Sequence, residues 1–208
     1  MRQLSLGVPH RVYGVSASGN CHKVKMALDH LGIPYRWHEV DMMGGETRRP
    51  EFLARNPNGK VPVLQIDATT YLAESNAILC YLAEGSTLWP GERLARAQVL
   101  QWLFFEQYSH EPQIAVARFI RLFLKQLDHP RLPKLIEGSL QALDVMEQHL
   151  ARHDFFVGGE MSIADLSLFA YTHRADDAGV TLDGHPHVRA WLARCAGQRG
   201  VSAMPGPA

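Results

Sequence analysis

The chain has 208 residues, and its 21 lysines and arginines balance 21 aspartates and glutamates; that length allows one large domain or two small ones with a real core. The charge balance argues against a nucleic-acid footprint or a polybasic membrane surface. The longest uninterrupted apolar run, Ala77–Ala83, is far too short to span a bilayer, and Ser5, Gly7 and Pro9 interrupt Leu4, Leu6 and Val8 before a signal-peptide core can form.

Residues 1–10 carry no periodicity and are expected to form a loose arm. Arg11–Val15 is short and β-prone, and Ser16-Ala17-Ser18-Gly19-Asn20 after it is a turn-forming cluster. Val24, Ala27, Leu28 and Leu31 then recur at helical spacing, with Gly32 and Pro34 to end the helix. Tyr35–Val40 is the second expected strand, Asp41–Arg49 a polar loop expected to be mobile, and Pro50–Arg55 a short helix. Val63–Ile66 and Tyr71–Ala73 form a hairpin across Asp67-Ala68-Thr69-Thr70, and Ser75–Glu84 is a helix with Ile78, Leu79 and Leu82 inward. The order β-α-β-α-β-β-α is the plan of a thioredoxin-like α/β domain over residues 1–84. A right-handed crossover makes its first two strands parallel.

Residues 85–92 read as a linker whose apolar Leu88-Trp89 packs back, and residues 93–208 read as an all-α helical bundle. Leu94–Tyr108 sets Leu94, Ala97, Leu100, Leu103 and Phe104 on one face. Pro112 removes a helix hydrogen bond, so it must kink or divide the run that continues as Ala115–Leu127. Leu132–Leu150 repeats apolar residues as an amphipathic bundle helix, and Ser162–Ala178 and Val188–Arg199 follow. Ser162-Ile163-Ala164-Asp165 is a capping box, with Met161 and Leu166 at the staple positions. Gly200–Ala208 is small and proline-rich, and poor order is expected there.

The chemistry centres on Asn56-Pro57-Asn58-Gly59-Lys60-Val61-Pro62-Val63-Leu64. Asn and Gly tolerate positive φ and Pro57 presets its own, so the turn is well specified. Pro62 stands at the head of a strand, where a missing N–H is tolerated but rarely useful. One use is a cis bond that turns the Val61 N–H and C=O outward to grip an extended peptide. Together with Leu72-Ala73-Glu74-Ser75-Asn76-Ala77-Ile78, this stretch resembles the glutathione-binding half of the cytosolic glutathione transferase family. The resemblance covers nearly the whole chain and points to the bacterial, phi-, nu- or theta-like members with a serine or asparagine active site. It implies a cis Val61-Pro62 bond, Val61 bonded to the cysteinyl backbone of glutathione, and Glu74-Ser75 holding the γ-glutamyl end. It also implies glutathione as co-substrate, a small hydrophobic electrophile or a mixed disulfide as second substrate, and a homodimer.

Four further groups complete the expected site. In the phi class, Tyr-Gly and a catalytic serine align with Tyr13-Gly14 and Ser18; in the nu class, Thr-Pro-Asn aligns with Ser18-Gly19-Asn20. Both alignments choose Ser18 and the second adds Asn20, at a helix start whose free N–H groups suit a thiolate. Without the resemblance, these residues read as turn and cap residues. Ser75 is likewise a natural N-cap, but with Glu74 it also suits the carboxylate and ammonium of an α-amino acid head. Lys60 and Arg48 are expected to hold the glycine carboxylate, or else are solvated. Tyr108 and His110 are the expected walls of the electrophile pocket, with Phe104 in the core.

Cys21 falls in the first turn of that helix, where a thiol pKa is lowered, or is a buried small hydrophobe, the favoured reading. Cys80 and Cys195 are expected to pack, and no cysteine pairing suggests disulfides, so a reducing compartment and a soluble cytoplasmic protein are expected. No histidine makes an H-x-x-x-H pair on a convincing helix face with a third ligand, His185-Pro186-His187 reads as a loop, and no metal is expected. Glutathione transfer is thus the expected activity. Glutathione-dependent disulfide reduction, or a non-catalytic binding protein of the same fold, is the alternative.

Overall fold

Four strands form one mixed sheet in the computed structural model, which describes residues 9–206; of the arm expected over residues 1–10, residues 1–8 lie outside them and His10 belongs to the first strand instead. β1 (His10–Gly14) pairs in parallel with β2 (Tyr35–Glu39) and antiparallel with β3 (Val63–Gln65), and β4 (Tyr71–Ala73) pairs antiparallel with β3. The sheet order is β2-β1-β3-β4. With α1 (Gly19–Leu31), α2 (Pro50–Leu53) and α3 (Ser75–Ala83), it gives the expected β-α-β-α-β-β-α order. Val12 and Leu64, cross-strand partners in the two central strands, are fully buried against Val24, Ala27 and Leu28 of α1 and Ile78 and Leu79 of α3. The segment expected to be a mobile loop is instead tied by its own carboxylates. Asp41 accepts the Gly44 N–H at 2.7 Å, Glu46 accepts the Asp41 N–H at 2.8 Å, and a 3-10 turn, Glu46–Arg48, follows.

The rest is helical: α4 (Arg93–Phe105), α5 (Glu111–Leu122), α6 (Leu132–Leu150), α7 (Ile163–Thr172) and α8 (Pro186–Ala196). Pro112 divides the long run as expected. It sits in the first turn of α5, where its missing N–H has no helical partner to lose. A π turn, Glu106–His110, absorbs the break. It also changes which residues point inward. Glu106 and His110 are fully buried, while Tyr108 is 86 % exposed. Phe104, expected in the core, is 69 % exposed, because α4 buries Val99, Trp102 and Leu103 instead. α4 is apolar nearly all round, so periodicity could not choose its inner face.

A buried polar network joins the sheet half to the helical half. Lys23 Nζ of α1 lies 2.9 Å from Glu106 Oε1, and neither side chain is exposed. Asn76 Nδ2 donates to Glu106 Oε2 at 3.1 Å, and Ser167 Oγ of α7 donates to Asn76 Oδ1 at 2.8 Å. Desolvating such a pair costs several kcal/mol, which only good geometry and added hydrogen bonds offset. Leu88 packs back as expected, buried, and its carbonyl accepts the Ile163 N–H at 3.1 Å.

The tail differs from expectation. Over residues 200–206 it lies against α1 and α7: His22 Nε2 donates to the Ser202 carbonyl at 2.7 Å, the Met204 N–H donates to His173 Nε2 at 3.0 Å, and Met204 is buried. Two histidines therefore anchor a segment whose composition alone suggested disorder. His185 caps α8 and His187 lies in its first turn, so that triplet starts a helix rather than forming a loop. No helix among the described residues is long and apolar enough to cross a membrane.

Candidate active site

The Asn56–Pro62 turn is held from within. Asn56 Nδ2 donates to the Lys60 carbonyl at 2.8 Å, and Asn56 Oδ1 accepts the Asn58 N–H at 3.1 Å. The Val61–Pro62 peptide bond is cis, and Val61 stands outside β3, so its polar backbone groups are not used by the sheet ladder. Beyond β4 the chain enters α3 through Glu74, at φ 65° and ψ 109°. A non-glycine residue there is strained by about 1–3 kcal/mol, which surrounding structure must hold in place. Glu74 and Ser75 border a polar cavity of about 590 Å³ that also meets Asn20, Lys60 and Val61.

Asn20 is engaged on both sides of that cavity's lining. Its Nδ2 donates to Glu111 Oε1 at 2.9 Å, and its Oδ1 accepts the Ser75 hydroxyl at 3.3 Å. The amide expected to reach a sulfur is therefore engaged in bridging α3 to α5. Ser18 is placed differently. It is the N-cap residue of α1 but makes no side-chain capping bond. It borders an adjoining cavity of about 360 Å³ whose other walls include Met42, Val116, Phe119 and Phe123. Lys60, Val61 and Glu111 border both cavities, so they are two ends of one cleft, one polar and one apolar.

The remaining expected site residues divide. Arg48 borders the apolar end near Lys60, and its Nη1 reaches the Asn58 carbonyl at only 3.5 Å. Tyr108 projects into solvent and lines neither cavity. His110 is in the core, its Nε2 bonded to Thr172 Oγ1 at 2.9 Å, and burial holds its pKa down at about 4. The π turn that rotates these two positions is the physical reason neither is a wall. The walls come one helix later, from α5. Cys21 is fully buried, with the Val15 N–H directed at its sulfur at 3.4 Å, and burial pushes its thiol up to about 11. It is a packed thiol, as favoured.

Three residues at the cleft were not singled out from sequence. Glu111 opens α5; burial, then the Glu106 charge, raises its pKa. Arg118 of α5 is buried, donates from Nη1 to the Ala17 carbonyl at 2.7 Å, and pairs through Nε with Asp177 at 2.9 Å. It thus fixes the turn immediately before Ser18. Tyr171 of α7 borders the apolar cavity with Ser18. A lone arginine between Ala117 and Phe119 was a readable signal, since a charge inside an apolar helix face needs a partner. Glu111 and Tyr171 carried none. Among the described residues, no group of three or more His, Cys, Asp and Glu side chains is placed to hold a metal ion.

Residues 17–84 match the family description "Glutathione S-transferase, N-terminal domain", and residues 113–194 match "Glutathione S-transferase, C-terminal domain". Glutathione S-transferase 3 of Zea mays is 33 % identical over 96 % of this chain and 96 % of its own length. The crystal structure of a glutathione S-transferase from Pseudomonas fluorescens superposes with a TM-score of 0.91 at 50 % identity, over 95 % of this chain and 99 % of that one. A second family member from Pseudomonas fluorescens, solved with two glutathione molecules bound, superposes at 0.82 and 26 % identity over 94 % of this chain and 92 % of its own. With the cis turn, the Glu74–Ser75 pair and the thioredoxin-like sheet in the same chain, the match has a physical basis. The chain belongs to the glutathione S-transferase family, and it is a glutathione transferase with glutathione as its co-substrate.

Proposed function

We propose that glutathione lies along the cleft with its γ-glutamyl head at Glu74–Ser75 and its sulfur at Ser18. The observation that carries this reading is Ser18, the N-cap residue of α1, whose hydroxyl makes no capping bond and borders the cleft. A free thiol has a pKa of about 8.5, and each unit by which it falls requires about 1.4 kcal/mol of extra stabilisation of the thiolate. A hydroxyl donor and the partial positive charge of the α1 N-terminus supply such stabilisation. Val61 offers to the cysteinyl unit a backbone that the sheet ladder does not use. Glu74 pairs with the ammonium, Ser75 takes the carboxylate, and Lys60 and Arg48 face the glycine end.

The thiolate then attacks an electrophile held at the apolar end, by Met42, Val116, Phe119 and Phe123. The enzyme supplies ionisation and proximity, with no covalent link to the protein. The apolar walls favour a small hydrophobic electrophile over a mixed disulfide, and so does the engagement of Asn20 by Glu111 and Ser75. A panel of electrophiles and mixed disulfides assayed with glutathione tests this. Faster turnover of the disulfides would overturn it.

The active form is a homodimer in this reading. Leu94, Leu100 and Phe104 leave an apolar strip on the outside of α4, which a second copy would cover. Sedimentation giving a monomer at micromolar concentration would count directly against it.

A further inference from the structure

We propose that Tyr171 is a second hydroxyl donor to the reacting sulfur, supplied by α7 of the helical half. The ring of Tyr171 lies flat against Gly19, the first residue of α1: a Cβ at that position would fall 2.6 Å from ring carbons Cε2 and Cζ. Only glycine lets the ring come so close.

The approach brings the phenol to the sulfur end of the cleft. Tyr171 is 6 % exposed, and the cavity it borders is the one Ser18 borders. The Ser18 side chain and the Asn20 backbone N–H are the donors that act on its oxygen, and Glu111 and, more weakly, Cys21 are the charges that do. Packing against Gly19 would be satisfied by phenylalanine; the hydroxyl is the part that packing does not require.

Burial, reinforced by the Glu111 charge, raises the phenol's pKa. Tyr171 therefore stays protonated at any working pH and donates a hydrogen bond; it does not act as a base. A donor stabilises a thiolate more than a thiol, and the effect is larger in a water-poor cleft. With glutathione bound, the single Ser18 O–H turns from the phenol oxygen to the sulfur, and Ser18 from one half of the chain and Tyr171 from the other converge on one atom.

This inference rests on the sulfur lying at Ser18, so the test separates the two. Tyr171→Phe keeps the ring on Gly19 and deletes one oxygen. The bound thiol is titrated by ultraviolet difference spectroscopy in wild type, Tyr171→Phe and Ser18→Ala, and kcat/KM is followed against pH with an apolar electrophile. Tyr171→Phe should raise the thiol pKa by about half a unit to one unit, lowering kcat/KM about threefold to tenfold below that pKa, with the gap closing as pH rises. A merely structural tyrosine would lower the rate equally at every pH and leave the titration in place. If Ser18→Ala shifts the titration and Tyr171→Phe does not, the tyrosine proposal is wrong and the serine reading stands. A shift with Tyr171→Phe alone keeps the tyrosine and removes the serine. If neither variant moves it, the sulfur is not at this helix end and both fall.

Discussion

Two described helices of this chain, α1 and α7, have a serine at the N-cap, and they use it in opposite ways. At α7, Ser162 closes a capping box: its hydroxyl accepts the Ala164 N–H at 3.2 Å, and Asp165 Oδ2 accepts the Ser162 N–H at 2.9 Å. Asp165 then uses its other oxygen for the Phe156 N–H at 3.0 Å and the indole N–H of Trp191 at 2.9 Å. At α1, Ser18 has the same backbone position and makes no side-chain capping bond. Every helix start leaves N–H groups without a helical partner. Where they are satisfied internally, the serine is structural; where they open onto a cleft, they are available to an anion. What the cap consumes, rather than the residue type, separates the α7 start from the α1 start, where the glutathione sulfur is proposed to lie.

The largest effect that sharpens this contrast is expected at α7. Asp165→Ala removes the acceptor for three buried N–H groups and should cost about 3–5 kcal/mol of stability, read from denaturant unfolding. Turnover per folded molecule should be unchanged. A loss below about 1 kcal/mol would mean the box is not what organises that helix.

Glu74 comes next. Glu74→Gly relieves the positive φ while removing the carboxylate, so stability should change by less than about 1 kcal/mol. Glutathione affinity, measured by calorimetry, should fall by about 1–3 kcal/mol, the cost of an unpaired charged hydrogen bond. Unchanged affinity would remove Glu74 from the γ-glutamyl site.

Ser18→Ala is the counterpart of the Asp165 change. With no cap bond to lose, it should alter stability by about 0.5 kcal/mol or less, while turnover at neutral pH drops about tenfold and glutathione affinity barely moves. Equal losses of stability and turnover would make Ser18 an ordinary cap. Cys21→Ala should leave conjugation nearly intact; a mixed disulfide with glutathione at Cys21, seen by mass spectrometry, would contradict its role as a packed thiol.

The smallest expected effect is a pH dependence confined to the tail. Burial lowers the pKa of both His22, to about 4, and His173. His173 donates to the Phe169 carbonyl at 2.8 Å and accepts from Met204, which requires a neutral ring. A histidine whose folded pKa lies below its unfolded value of about 6.5 contributes stability above that pH and loses it as pH falls toward the folded pKa. Amide exchange in residues 200–206 should therefore accelerate between about pH 6.5 and about pH 4 before the core opens. Exchange independent of pH after correction for intrinsic rates would show that the histidines do not hold the tail.

Much of the fold was legible because its signals are local. The hairpin at Val63, the division at Pro112 and the capping box at Ser162 each rest on residues close in sequence, and each is present. The cleft was legible on the side built from such motifs: Ser18, Lys60, Val61 and Ser75 all border it. The other side was not. Which face of α4 turns inward depends on a π turn that no composition announces, and so Tyr108 and His110 were placed as walls when α5 supplies them. Tyr171 is separated from Ser18 by most of the chain, and only packing brings them together. The tail was misjudged because its anchors, His22 and His173, lie on helices far from it in sequence.

A crystal structure of the protein with glutathione bound tests the assigned site most directly. The arrangement proposed above puts the sulfur within hydrogen-bond distance of Ser18 Oγ, the cysteinyl backbone against Val61, and the γ-glutamyl head against Glu74 and Ser75. Glutathione bound in the reverse direction, with its γ-glutamyl head at the start of α1, or with its sulfur remote from Ser18, would contradict it.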